Sequence, residues 1–351
     1  MALFSISTRC LYQSLSQRFR GCYLSTNTQE DASRLMTSEI LQQLNVTANE
    51  TILDMTFGDG LHSEAILKSN ESVKIIALDR DPCAFQKATE LALKYPGRVN
   101  PLLGRISDLP SLLGPLGIKR KSLDAIIFEP GCSSMQLHDA NRGFTCEVDG
   151  PLDMRMDGPQ ATDFITAADV VMRADERDLS RVLRVYGDEE RNKKIAKAIV
   201  ACRYNFQPLD STGKLTELVH VACAEKSSKA VRNVFYALRT FVNNEFNELN
   251  YAMLLAQEYL KIGGRVLALT FNQMEDTIIK RHITGNVMEN SPNPVPLKYY
   301  SAAFNMKPEE INAMRSSPWK PIQKHVATLG AADKMKSHHF AVAKLRGAQK
   351  V

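Results

Sequence analysis

The stretch Thr51–Ser63, Thr-Ile-Leu-Asp-Met-Thr-Phe-Gly-Asp-Gly-Leu-His-Ser, constrains the fold more than any other part of this chain. Ile52-Leu53, with the β-favouring Thr51 and Thr56 on either side, reads as a short strand. It breaks at Phe57-Gly58-Asp59-Gly60, and Ser63-Glu64-Ala65-Ile66-Leu67-Lys68 reads as a helix. Strand, glycine turn and helix open a nucleotide-binding βαβ unit, in which glycines let a ligand approach main-chain N–H groups at a helix N-terminus. A second apolar run, Val73–Leu78, ends in Asp79. An acid at that strand tip accepts hydrogen bonds from both ribose hydroxyls of an adenosine. Gly58 and Gly60 alone would fit any tight turn; with Asp79 in place they point to a nucleoside cofactor.

The pattern of strand and helix continues. Asp81-Pro82 caps a helix over Cys83–Lys94, which stops before Pro96-Gly97. A strand near Val99–Leu103 and a helix near Leu109–Leu113 follow, then Leu123–Phe128, an almost wholly apolar run of the kind a buried parallel strand shows. The alternation predicts a doubly wound α/β sheet, whose ligands lie at the carboxyl ends of the strands, where Gly58, Asp79 and Glu129 fall. From about Ala140 helical periodicity replaces strands: Ala167–Met172, Asp178–Tyr186, Lys193–Cys202 and Lys214–Ala224. One long helix is expected from Ser228 to Leu260, and Arg265–Phe271 returns to the sheet. Beyond Gly285, with Pro292, Pro294, Pro296 and Pro308, irregular structure is expected. The expected organisation is a leader over 1–30, a sheet domain over 31–139 and 231–351, and a helical insert over 140–230.

The leader is read from composition. Met1–Gln29 carries Arg9, Arg18 and Arg20, many Ser and Thr, and no acid before Glu30, which is the make-up of a mitochondrial presequence. Much of the chain's net charge of +5 rests there, so bulk charge argues only weakly for nucleic acid. No apolar run is long enough to span a bilayer. Cys10, Cys22, Cys83, Cys132, Cys146, Cys202 and Cys223 show no Cys-x-x-Cys spacing, so neither a zinc site nor a disulfide framework is expected.

A cofactor built on adenosine is either NAD or S-adenosylmethionine. The glycine loop lacks the third glycine of the dinucleotide fingerprint, which weakens NAD. The end of the fourth strand, Glu129-Pro130-Gly131-Cys132, has the form of an acid-Pro turn that presents a carboxylate and a carbonyl to an exocyclic amine. An acceptor on the amine N–H aims its lone pair at a sulfonium methyl, so catalysis there is mostly positioning and electrostatics.

Several segments together resemble one family. They are Asp54–Gly58, Leu78–Pro82, Gly131–Ser134 with Gln136-Leu137, Arg142-Gly-Phe144, Asp149–Met156, Tyr186-Gly187 with Glu189-Glu190, and Phe241–Glu245. This set is similar to the MraW/RsmH family of ribosomal RNA cytosine-N4 methyltransferases, and to its mitochondrial branch. The resemblance implies a Rossmann-like class I methyltransferase sheet with an inserted helical domain and S-adenosylmethionine as cofactor. It implies mitochondrial small-subunit rRNA or its ribosomal precursor as partner, location in the mitochondrial matrix, no membrane, and a homodimer as an admissible assembly. It assigns cofactor contacts to Gly60, Leu61, His62, Asp79, Ile106, Glu129 and Gln136, with Glu129 and Pro130 at the chemistry. Arg142, Asp153, Arg155 and Asp157 fit either an ion-pair lattice or RNA contacts, and Arg191, Lys193, Lys194 and Lys197 form a basic helical segment. The chain departs from the family at Leu61, Glu129-Pro130 and Asn272, where the family has Gly, Asp-Leu and His. A second class of function, a degenerate methyltransferase fold that binds rRNA during assembly, remains open at this stage.

Overall fold

Short apolar runs that end in polar turns pair side by side when both of their faces can be covered, and here they do so in parallel. The computed structural model describes residues 36–204, 208–224, 228–285, 317–329 and 343–351. Its strands are β1 (Thr51–Asp54), β2 (Lys74–Asp79), β3 (Val99–Leu103), β4 (Leu123–Phe128), β5 (Leu260–Thr270), β6 (Trp319–Pro321) and β7 (Lys344–Lys350). They form one seven-stranded sheet in the order β3-β2-β1-β4-β5-β7-β6. β1 to β5 run parallel, and β7 is antiparallel to both β5 and β6. The order reverses between β1 and β4, which opens a crevice past their carboxyl ends. The doubly wound α/β class is therefore as expected. The expected leader and Pro292, Pro294, Pro296 and Pro308 lie outside the described residues.

The chain divides into two compact units. The sheet unit takes in Asn27–Gln136, Met156–Ala161 and Asn243–Val351. Ile52, Leu53, Ile75, Ile76, Leu78 and Ile126 are completely buried in it. Each such side chain contributes about 1.5–3 kcal/mol of burial. Helices α1 (Thr37–Leu44), α2 (Leu61–Ser69), α3 (Pro82–Lys94), α4 (Leu109–Leu113) and α5 (Ser134–His138) follow in order. Asp81 caps α3 by accepting from the Cys83 N–H, with Pro82 in the first turn.

The helical unit, Leu137–Arg155 and Thr162–Val242, holds α6 (Ala167–Arg173), α7 (Glu176–Gly187), α8 (Asn192–Tyr204), α9 (Thr212–Cys223) and α10 (Ser228–Val242). Its motif residues serve packing. A side chain at Gly187 would strike the Asn233 carbonyl oxygen at 2.4 Å. Buried Glu189 accepts from Asn233 Nδ2 at 2.9 Å and from the Arg191 N–H at 2.9 Å. Asp153 pairs with Arg155 at 2.6 Å, and the Arg142 guanidinium donates to the Arg155 carbonyl and lies over the Phe144 ring. Asp157 pairs instead with Arg80 and Arg105 inside the sheet unit. Arg142, Asp153 and Arg155 thus meet within the helical unit, and Asp157 meets Arg80 and Arg105 within the sheet unit.

Two expectations need correction. The long helix is two: α10 stops at Val242, and α11 (Glu245–Tyr259) restarts after Asn244, which sits in the left-handed region at φ 53°. Asparagine tolerates that conformation. The apolar period runs on through the break, so periodicity hides it, and residues 231–242 cluster with the helices rather than with the sheet. The segment beyond Gly285 is not all irregular either, since β6 and β7 complete the sheet. β7 reads Lys-Leu-Arg-Gly-Ala-Gln-Lys, with no β-branched or aromatic residue, and is a strand because β5 and β6 pair with it on both sides. The last helix among the described residues, α12 (Gln273–Thr284), starts at Asn272, whose side chain accepts from the Met274 N–H. No helix among the described residues is long and apolar enough to cross a membrane.

Candidate functional site

The glycine turn builds one wall of a cleft that lies wholly within the sheet unit. Gly60 has φ +81° and caps α2, and a Cβ there would meet the Phe57 ring at 2.5 Å. No other residue fits that corner. The Gly58 N–H donates to Asp79 Oδ2 at 2.8 Å, which ties the turn to the tip of β2. Below the turn, Asp54 at the end of β1 accepts from Ser63 Oγ at 2.7 Å and from the Thr56 N–H at 3.1 Å. Thr56 Oγ1 in turn accepts from the Glu129 N–H at 2.7 Å. The ends of β1 and β4 are thereby locked together at the crevice.

The cleft encloses ≈ 1190 Å³ counting its open mouth. Of the residues expected at a site, Gly58, Leu61, His62, Asp79, Ile106, Glu129, Pro130 and Gln136 line it. Gly60 stands behind the wall as the α2 cap. Gln136 is almost fully buried and its amide is used within the protein. Its Nε2 donates to Asp81 Oδ2 at 2.8 Å, and its Oε1 accepts from the Ser133 N–H at 3.0 Å. It braces the Gly131–Ser134 loop against the β2 tip.

Residues not expected also line the cleft: Arg80, Arg105, Glu245, Glu248 and Leu249. Glu248 on α11 accepts from the Ser107 N–H at 3.0 Å and from Ser107 Oγ at 2.8 Å, fixing the turn that carries Ile106. Buried Asn243 accepts from the Met156 N–H at 2.8 Å and, through its carbonyl, from Arg80 at 2.8 Å. The run Phe241–Glu245 was visible as a motif, but only the helix break explains why it reaches the site.

Two strand-end carboxyls stand out, Asp79 in the cleft and Asp54 at a second cavity beside it. Burial pushes the carboxyls of Asp54 and Asp79 up to about 6, against the lowering effect of their hydrogen bonds. Among the described residues Asp79 accepts only from the N–H groups of Gly58 and Asp81, the latter at 2.9 Å, so lone pairs remain for further donors. His62 Nε2 lies 3.3 Å from Glu129 Oε2. Burial alone would lower the imidazole's pKa. Glu129 beside it, with Asp54 and Asp59 near, outweighs that and raises it above the ordinary value.

These residues fit an adenosine-based cofactor. An under-donated carboxylate at the β2 tip suits a ribose diol, Ile106 and Leu249 supply apolar wall for a base, and the glycine turn leaves room for the remaining chain. The model of the MraW methylase family matches residues 32–350. The chain is 39% identical over 320 residues to a Drosophila melanogaster protein named Probable methyltransferase-like protein 15 homolog, covering 88% of this chain and 90% of that one. It is 37% identical over 334 residues to the Homo sapiens 12S rRNA N(4)-cytidine methyltransferase METTL15, covering 90% of this chain and 82% of that one. It is also 44% identical over 325 residues to a Culex quinquefasciatus protein named Putative receptor-type tyrosine-protein phosphatase mosPTP-1. That match covers 90% of this chain and spans only 22% of the longer protein.

Proposed function

We propose a function from one premise: this chain belongs to the MraW methylase family. Its cofactor is S-adenosylmethionine, and its reaction is methyl transfer to N4 of a cytidine in mitochondrial small-subunit rRNA, in support of ribosome biogenesis. The site of action is the mitochondrial matrix, to which Met1–Gln29 directs the chain. Phosphatase chemistry has no part in this reading, because the match to mosPTP-1 covers 22% of that protein. The two relatives matched over most of their length are named as methyltransferases.

The observation that carries the reading is Glu129-Pro130 at the end of β4, facing the same cleft as Asp79. When bound, S-adenosylmethionine supplies an electrophilic methyl on a sulfonium. The chain's own residues do the rest. Asp79 holds the ribose, and Ile106, fixed through Ser107 and Glu248, packs the base. Glu129 accepts an N–H of the cytosine amine, and the Pro130 carbonyl takes the other, which turns the nitrogen lone pair toward the methyl. No strong base is required, since the amine becomes acidic once alkylated. A paired cytosine cannot reach such a cleft, so the target is single-stranded or flipped out.

The test is nucleoside mass spectrometry of mitochondrial small-subunit rRNA with and without the gene, complemented by wild type or Glu129→Gln. The N4-methylcytidine mark is expected to vanish on deletion and to return only with wild type. A mark that persists after deletion rejects this substrate, and full rescue by Glu129→Gln rejects the role given to Glu129.

A further inference from the structure

The cleft has a back wall, and that wall holds a group the proposed reaction leaves unused. Thr56, His62, Phe128 and Glu129 line both the cleft and a small second cavity behind it. The rest of the second cavity is Asp54 and the apolar side chains Ile40, Ile127, Leu267, Leu269 and Leu345. His62 is nine-tenths buried in this wall, its side chain 10% exposed against 21% for Glu129. Nε2 stands 3.3 Å from Glu129 Oε2, yet neither ring nitrogen has an aligned hydrogen-bond partner. A buried imidazole with no aligned hydrogen bond is costly, and evolution of a packed core would replace it by an apolar ring of the same shape.

The surroundings explain what the ring does. A glutamate at a strand end has three rotatable side-chain bonds, and turning into an apolar cavity would strand its charge. The His62 imidazole faces it across the wall of the second cavity. The groups facing the imidazole are Glu129 on β4, Asp54 on β1 and Asp59 in the glycine turn, all acids. α1, β5 and β7 present only apolar side chains to the cavity (Ile40, Leu267, Leu269 and Leu345). The ring itself is anchored, because His62 follows Gly60-Leu61 in the first turn of α2 and Ser63 is tied to Asp54.

We propose that His62 is a positioning residue: its imidazole holds Oε2 of Glu129 against the back wall, so that Oε1 faces the cleft in one fixed orientation. This rests on the role proposed for Glu129. In this scheme the imidazole acts on the reaction through the carboxylate.

Two experiments separate this from a merely structural histidine. The first needs no turnover. NMR titration of the unliganded, histidine-labelled protein follows the His62 ring, assigned by its loss in His62→Gln. Its midpoint is expected above that of a free histidine and should fall in Glu129→Gln; an unmoved midpoint overturns the pairing. The second is a double-mutant cycle on single-turnover methylation of an rRNA fragment. His62→Gln should lower the rate at saturating cofactor about ten- to a hundredfold, the cost of roughly 1 Å of misplacement. Glu129→Asp, whose shorter chain withdraws from the ring, should make His62→Gln nearly silent. Multiplicative losses would show that the two residues act independently and overturn the proposal. Melting curves of each variant, with His62→Asn as a second replacement, exclude simple unfolding. If Glu129→Gln keeps full turnover, the reading of the reaction falls while the titration still decides whether His62 and Glu129 are coupled.

Discussion

Two buried strand-end acids of the sheet unit and two acids of the helical unit are shifted in opposite directions. Asp54 and Asp79, at the ends of β1 and β2, are pushed up to about 6 by burial that their few donors do not offset. Asp149 and Asp169, in the helical unit, are held below the ordinary carboxyl value. Asp149 accepts from the Gly213 N–H at 2.7 Å, and Asp169 closes a capping box with Thr166. The helical acids are satisfied by the fold itself and stabilise it. Asp79 lines the cleft with lone pairs left for a ligand, whereas Asp54 lies at the second cavity, tied to Ser63 and Thr56.

That contrast can be broken most sharply at Asp79. Asp79→Asn keeps the shape but loses charge-assisted hydrogen bonds to the ribose, so cofactor binding should weaken by about 1.5–3 kcal/mol. Calorimetry measures it, and an unchanged dissociation constant in a folded variant would remove Asp79 from the site. The same carboxyl predicts a pH dependence. Ribose hydroxyls stabilise the ionised form, so binding should expel a proton near its pKa of about 6. Affinity should hold above that pH and decline as pH falls through it, with proton release detectable in buffers of different ionisation heat. A flat profile from pH 5 to 8 would contradict this.

Stability separates the two sets with opposite signs. The folded pKa of Asp54 is raised above the unfolded value of about 3.8. Below about pH 4 the group is neutral in both states and costs nothing. As pH rises through about 6 the unfolded chain ionises first, and stability is lost. Asp54→Asn should therefore stabilise the protein by about 1–3 kcal/mol at pH 8, with the gain fading toward pH 4 in denaturant titrations. Asp169 is the reverse case, since its lowered pKa gives stability that is present above its unfolded value and lost on acidification. Thr166→Ala or Asp169→Asn should cost only about 0.5–1 kcal/mol near neutral pH, leaving cofactor binding unchanged. A loss of binding in either variant would mean that the division between scaffold acids and site acids is drawn wrongly.

The sequence by itself determined the parts of this protein that depend on local pattern. Ile52-Leu53 before Phe57-Gly58-Asp59-Gly60 could only be a strand entering a glycine turn, and Leu123–Phe128 could only be a buried parallel strand. Since parallel strands align their ends, the positions of Asp79 and Glu129 at one edge of the sheet followed. Asp81-Pro82 announced the start of α3 because a cap and a first-turn proline act within a few residues. The tertiary structure alone decided what depends on partners far along the chain. β7 is a strand because β5 and β6 accept its backbone, although its own residues favour no such state. The break at Asn243-Asn244 holds because Met156 and Arg80 claim the polar groups of Asn243. That Gln136 on the cleft wall also braces its loop is decided by the Asp81 carboxylate and the Ser133 N–H within its reach. Hydrophobic period and turn chemistry are written residue by residue. Which buried polar group is satisfied, and which is left waiting, is settled only when distant strands close around it.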